Sequence, residues 1–387
     1  MTGGDTTWKG RDFLTANMPR MLYIDGISNV RDIGGWTGLN QGLVFRGSYM
    51  DFPAVNGYGH VTAAGKAEMR QLGVKTELDL RSASEIYTNS SVLGDDVAWI
   101  NLTIGSYDLF ADDYKQQYRT MMTLFADKDN YPFYVHCAGG ADRTATVIFL
   151  LECLGGAEEA VMDADYELTT FSTWGERART REGFKALFTD LKAGYPGSTL
   201  KEKTVNYCIS FLGLDRAQVS NVCSILSGNG VIFAEPQLFG STGGAIRIAL
   251  EGLGAHTVSS VTVGGETAAF ALSDSTLVVQ TDKTGIGEIV FDDGSTLAFD
   301  TVPNTVAVTA YANGNATVTT QCAKNVIVLA AGYETDGRLT TVRSTQAALV
   351  SGTNTVTMQA ITASTVKVFV FENDGSFAPV CSPFTAK

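Results

Sequence analysis

The chain has 387 residues, a net charge of −13, and 44% hydrophobic and 18% charged residues, enough apolar material for the two or three domains that its length suggests at roughly 100–200 residues each. The acid excess lacks the clustered positive charge that phosphate-backbone binding requires, so nucleic acid is not an expected partner, and no apolar run approaches the ~20 residues of a membrane span. Met1–Gly10 reads without a charged-then-apolar leader, and six cysteines with no C-x-x-C pair, beside only three histidines, point to neither a zinc centre nor a dense disulfide scaffold.

Up to residue 229, strand-like and helix-like stretches alternate. Val74–Leu80 and Ala98–Ile104 read as strands, Ala111–Phe125 as a helix and Phe133–His136 as a short buried strand. Arg143–Leu154 is an apolar-rich helix with a stop signal at Gly155-Gly156. Helical stretches follow at Ala157–Thr170, Arg181–Ala193, Leu200–Leu212 and Arg216–Leu226. Alternation of this kind predicts an α/β domain over 1–229, a mostly parallel central sheet flanked by helices. After Gly228-Asn229-Gly230 the text turns to Thr, Val, Gly, Ser and Ala. Period-two runs at Ala245–Leu250, Thr276–Gln280, Glu288–Phe291, Thr305–Ala310, Val326–Ala330, Thr355–Ile361 and Thr365–Phe371 read as short strands. Asp292-Asp293-Gly294 and Asn373-Asp374-Gly375 read as hairpin turns. With a seam at Thr301-Val302-Pro303-Asn304, they predict two β-sandwich (Ig-like) modules, 230–302 and 303–387.

The chemistry concentrates in Tyr134-Val135-His136-Cys137-Ala138-Gly139-Gly140-Ala141-Asp142-Arg143-Thr144. A strand ends at a cysteine, five residues intervene, and an arginine opens a helix. So short a loop curls into a ring whose N–H groups point inward, with glycine permitting the required φ values. The helix N-terminus adds its dipole, and Arg143 grips two phosphate oxygens as lysine cannot. Ala138, Gly139, Gly140, Ala141 and Arg143 are thus the candidate phosphate binders. The same donors stabilise a thiolate, so Cys137 is expected to titrate well below the usual value of about 8.5. Backbone donors and Arg143 supply the positive field, so neither a metal nor a cofactor is expected. A buried structural cysteine at an ordinary strand–helix turn is the bland alternative.

This is the C-x5-R-T loop of the cysteine-based phosphatases, and the surrounding text resembles one bacterial tyrosine phosphatase family, which includes a secreted mycobacterial enzyme and related protein-and-lipid phosphatases. Asn29-Val30-Arg31-Asp32-Ile33-Gly34-Gly35 resembles its N-F-R-D-L-G-G box. Gly42-Leu43-Val44-Phe45-Arg46-Gly47-Ser48 is similar to its G-x-L-F-R-S-G/A segment. Leu78-Asp79-Leu80-Arg81-Ser82 with Glu85 is similar to its D-L-R-S-x-x-E motif, and Asp163-Ala164-Asp165-Tyr166 to its later D-Y helix. The resemblance covers about residues 25–226. It implies a phosphocysteine intermediate on Cys137, with Arg143 on the equatorial oxygens and Thr144 beside the sulfur. Asp142 is its first candidate for the general acid. Asp79 is the second, with a structural pairing to Arg46 or Arg81 weighed evenly against catalysis; Asp108, Asp112 and Asp113 are offered as a mobile acid loop. His136 orients the loop, and Asn29, Arg31, Asp32, Arg46 and Arg81 brace it, a turn lock being the simpler role for the N-R-D box. Tyr166, Cys153, Cys208 and Cys223 read as core. The family loop commonly carries Lys where Ala141 stands, which favours phosphotyrosine and small monoesters over polyphosphorylated inositols.

The rival enzymes are a phytase-like or dual-specificity lipid phosphatase and a sulfurtransferase; the rival from another class is a silent phosphopeptide-binding or adhesive surface protein. In the tail, Asp292-Asp293 and Asp374 suggest Ca²⁺ or plain acidic turns, and Cys322 and Cys381 either a disulfide or two free thiols. The stretch from Val366 to Pro379 resembles closing strands of β modules on secreted enzymes of anaerobic gut bacteria. That implies an extracellular or cell-surface setting and a glycan or surface partner, with a cytoplasmic setting left open.

Overall fold

The computed structural model describes residues 21–53, 59–241, 245–303, 306–373, 377 and 379–386. The leader reading of Met1–Gly10, the tips at Asn304-Thr305 and Asp374-Gly375, and Ala378 lie outside them. Two compact units emerge. The first runs to Leu214 and resumes over Gln218–Val231; the second comprises Asp215–Ala217 and the chain from Ile232 onward.

Among its described residues the first unit is built on a five-stranded sheet. In chain order the strands are β1 (Arg31–Asp32), β2 (Val44–Ser48), β3 (Thr76–Asp79), β4 (Ala98–Asn101) and β5 (Phe133–Cys137), in the spatial order β1-β2-β5-β3-β4. β2, β5, β3 and β4 run parallel and β1 is antiparallel at the edge. A strand at the centre of a parallel sheet is covered on both faces, so it reads as a continuous run rather than an alternation. β5 obeys this: all five of its residues are buried. Its carboxyl end delivers Cys137 to the edge of the sheet where open α/β sheets bind ligands.

Helix α1 spans Ala63–Gln71 and α2 Lys115–Phe125, the latter preceded by a tight turn at Asp112–Tyr114 where a helix from Ala111 was expected. Asp112 and Asp113 are exposed in that turn and the buried stripe starts only at Tyr118. The helix after the cysteine loop, α3, spans Arg143–Gly155 and is buried from Thr144 to Leu154. It ends as its glycines predict: Gly156 sits at φ +83° and its N–H donates to Cys153 O, a left-handed cap. Helices α4 (Glu159–Leu168), α5 (Glu182–Gly194), α6 (Leu200–Ser210) and α7 (Arg216–Ser227) follow. Phe149 of α3 packs edge-on to Phe188 of α5, with ring centroids 4.9 Å apart.

From Ile232 onward the described residues form only β-strands and their connections. A five-stranded sheet is centred on Val258–Val263, Gly285–Phe291 and Thr296–Pro303, and a four-stranded one on Ala245–Glu251 and Thr276–Gln280. Further along, Lys324–Tyr333 pairs with both Leu339–Leu349 and Thr365–Glu372, while Asn315–Thr320 pairs with Ala307–Ala312 and Gly352–Thr357. Val318, Val328, Val356 and Val368, from both of these last sheets, meet in one cluster. Cys322 and Cys381 are free thiols. Cys153 and Cys208 are buried as expected, whereas Cys223 is only partly buried.

Candidate active site

The loop between β5 and α3 is shaped from behind. In a planar trans peptide the C=O of one residue and the N–H of the next point in opposite directions. Tyr49 N–H donates to Ala138 O at 3.2 Å. Asn29 Nδ2 donates to Gly139 O and Gly140 O, each at 3.0 Å, and Arg46 Nη2 donates to Gly140 O at 2.7 Å. With those carbonyls held on one side, the N–H groups of Gly139, Gly140 and Ala141 are turned to the other. Gly140 allows this by taking φ +63°, and a Cβ there would lie 2.2 Å from Gly47 O. Beta-strand β2 therefore touches the loop backbone to backbone.

The braces are themselves fixed by buried charge. Asp165 of α4 accepts from Arg31 Nε at 2.7 Å and from Arg46 Nη1, and Arg31 Nη1 donates to Asn29 Oδ1 at 2.6 Å. Burial and the neighbouring Arg46 lower Arg31 to about 10. Glu152 of α3 lies buried in the same cluster; burial and the Asp165 charge push it well above the usual carboxylate range. Asp32 serves its own turn. It accepts from Gly34 N at 2.8 Å and Gly42 N at 2.7 Å.

Cys137 is 3% exposed. Burial alone pushes its thiol up, but Arg143, the Thr144 hydroxyl and the N–H groups of Thr144 and Ala141 outweigh it, and the thiol lies below its ordinary value. Thr144 Oγ1 is buried without a conventional hydrogen-bond partner, so its hold on the sulfur is that of a hydroxyl standing beside it. Arg143 is aimed by Glu85, whose two oxygens accept from Nη1 at 2.6 Å and Nη2 at 2.7 Å. Glu85 is in turn bonded by Ser82 N and Oγ, and the Arg143 fork holds its carboxyl down at about 2. A cysteine of lowered pKa, an inward ring of amides and an aimed guanidinium make an anion-binding nucleophile site, and residues 22–212 match the tyrosine phosphatase family. The comparison with curated proteins returned no match.

Around this loop the candidate acids separate. Asp79 is fully buried and fork-bonded to Arg81, with Nε at 2.9 Å from Oδ1 and Nη2 at 2.7 Å from Oδ2. Arg81 also reaches Asp51 at 2.7 Å. This is the structural pairing that the sequence weighed evenly against catalysis. Asp108, Asp112 and Asp113 are exposed; the segment that carries them sends Tyr107, not an aspartate, to the loop. Asp142 is only partly buried, at the start of α3. Burial raises its pKa, but Arg177 and Tyr107 bonded to its carboxylate outweigh that and lower it. His136 donates or accepts at both nitrogens: Nε2 lies 2.9 Å from Glu77 Oε1 and Nδ1 3.2 Å from Cys137 O. Burial pulls its pKa down, but Asp79 and Glu77 outweigh burial and raise it to about 8. At neutral pH it is therefore an imidazolium donating at both positions, which orders the strand end rather than abstracting protons.

Sequence reading missed Glu77, Glu85's hold on Arg143, Tyr107, Arg177 and the rings around the loop. Tyr49 lies 6.1 Å from Trp174 and 6.4 Å from Tyr87, and Phe52 lies 5.3 Å from Tyr87. Trp174 packs directly on Gly139, where a Cβ would meet its ring at 2.5 Å. Tyr166 is core, as read, stacked on Phe184 at 3.9 Å, but its hydroxyl is bonded to Tyr107. In the second unit, Asp292 and Asp293 sit 3.2 and 3.7 Å from His256 Nδ1 on the surface.

Proposed function

We propose that the phosphatase domain hydrolyses phosphotyrosine and small phosphomonoesters through a phosphocysteine. Cys137 attacks phosphorus in line while Arg143 and the amides of 138–143 take the equatorial oxygens, where charge gathers. Asp142 protonates the leaving oxygen and then, as a carboxylate, takes the proton of the attacking water. Thr144 eases departure of the sulfur in the second step. The observation that carries this reading is the set of loop carbonyls tied back by Tyr49, Asn29 and Arg46: it presents donors to an oxyanion before one arrives. The rings of Tyr49, Phe52, Tyr87 and Trp174 beside that loop suit an aryl leaving group. Ala141, where the family commonly has Lys, supports monoesters over phytate or phosphoinositides.

The finer organisation is part of the same proposal: a catalytic domain to 229, then two β-sandwich modules divided at 302/303, on an exported or surface protein, with the modules placing the enzyme on a glycan or other surface partner. Kinetics on phosphotyrosine peptide, phosphoserine peptide, phosphoinositide and phytate test the substrate class. In Cys137→Ser hydrolysis is expected to fall to background, and alkylation of the wild-type thiol to show a midpoint below about 8.5. Full turnover by Cys137→Ser would exclude the mechanism.

A further inference from the structure

Asp142 is held by more than a loop residue needs. Arg177 donates Nε to Oδ1 at 2.8 Å and Nη2 to Oδ2 at 2.9 Å, a planar fork on both oxygens. Tyr107 Oη donates to Oδ1 at 2.5 Å and shares a 2.6 Å bond with Tyr166 Oη. Both partners are fixed in turn. Tyr107 is a non-glycine residue at φ +65°; its N–H is bonded to Thr146 Oγ1 at 2.9 Å, and its ring lies where a Cβ on Gly183 would come within 2.4 Å. A strained φ at a bulky residue persists only where its surroundings over-determine it. Arg177 Nη1 donates to Trp174 O and Glu176 O, each at 3.0 Å, and its N–H to Thr170 Oγ1 at 3.0 Å. One short segment after α4 thus carries both Trp174, which lies on Gly139, and the fork on Asp142.

We propose that Arg177 and Tyr107 are the positioning residues of Asp142, aiming its carboxyl and setting the pH at which it changes proton. The inference rests on the phosphocysteine reading above. The charged and titratable groups around Asp142 are Arg177 and Arg181, Tyr107, and Tyr166 behind it; Arg143, next in the chain, is turned to Glu85. In the first step Asp142 gives its proton to the leaving oxygen as the P–O bond breaks and the S–P bond forms. In the second it takes a proton from water as the new O–P bond forms and sulfur leaves. Removing Arg177 takes a cation and two donors from the carboxylate, so Asp142 keeps its proton to higher pH. The alkaline limb of kcat/KM, set by loss of the acid, moves upward while aim is lost.

The test uses the full chain and two substrates, phosphotyrosine, whose phenolate needs a proton, and p-nitrophenyl phosphate, whose leaving group does not. For Arg177→Met the expected result is a kcat/KM, which reads phosphocysteine formation and not the shared second step, lower on phosphotyrosine by roughly 10- to 100-fold, with p-nitrophenyl phosphate within about threefold of wild type. Its alkaline limb shifts up in pH. Tyr107→Phe moves the limb the same way by less, and Arg177→Lys, which keeps the charge without the fork, returns the limb towards wild type. Equal losses on both substrates with an unmoved limb, or no loss on either, would overturn the proposal. If Arg177→Met melts below the assay temperature, Tyr107→Phe and Arg177→Lys decide it by the same substrate ratio and limb. A wild-type chain inactive on both substrates brings down the phosphocysteine reading instead.

Discussion

In the first unit Arg31, Arg46, Arg81, Asp79 and Asp165 are each 1% exposed or less, and every one is paired. In the second unit, pairs such as Lys283–Glu266 stand largely in water. Taking two charges out of water is rarely favourable compared with packing hydrocarbon. Fully buried pairs of this kind behind the cysteine loop mark where the chain needs fixed directions more than it needs stability; in the second unit the better-covered Lys324–Glu372 pair still keeps 13–14% of its side chains exposed. Guanidinium forks supply directions: Arg46 reaches from Asp165 to Gly140 O, and so converts an ion pair into the orientation of an amide.

The comparison breaks first at Asp165. In Asp165→Asn, two buried guanidinium groups lose their shared carboxylate; a loss of about 3–5 kcal/mol in urea unfolding is expected, together with a marked fall in kcat as the brace on Gly140 slackens. Unchanged activity at unchanged stability would show that the buried charge has no bearing on the loop. The middle effect belongs to His136, raised to about 8. A raised pKa contributes stability that is complete below the unfolded value of about 6.5 and is lost as pH climbs through about 8, a term of about 2 kcal/mol. Melting temperatures between pH 6 and 9 check it, with His136→Asn expected to lack this slope. They are measured in a Cys137→Ser background, because the lowered Cys137 thiol contributes with the opposite sign. The smallest effect is Lys283→Met: its half-exposed pair with Glu266 is expected to change stability by less than about 0.5 kcal/mol and activity not at all.

What the sequence disclosed follows from how far apart the partners lie. The loop was legible because strand, cysteine, glycines, arginine and helix are contiguous, each with its own local signature. The β-rich tail was legible as strands because alternation survives even where one face is wet. The expected strand at Val326–Ala330 extends to Lys324–Tyr333, whereas its neighbour Leu339–Leu349 was missed because its residues are mostly polar and half-exposed to exposed until Leu349. Helix α1 was missed for a related reason, since only Gly65 and Met69 of its nine residues are buried. The groups that finish the site come from far along the chain: Glu85 is 58 positions from Arg143, and Tyr107 and Arg177 are each 35 from Asp142. No local pattern encodes such pairings. Asp79 illustrates the converse, since its partner Arg81 stood two residues away and both roles fitted the same text.

The backbone contact between Gly140 and Gly47 bears on how this site is able to diversify. A Cβ on Gly140 would stand 2.2 Å from Gly47 O, and one on Gly47 would stand 2.3 Å from Tyr134 Oη. Neither floor position admits a larger residue without lifting the ring away from its sulfur, so new specificities have to be written around the rim: at position 141, where a methyl group now stands, and on the segments that bring Trp174 and Tyr87.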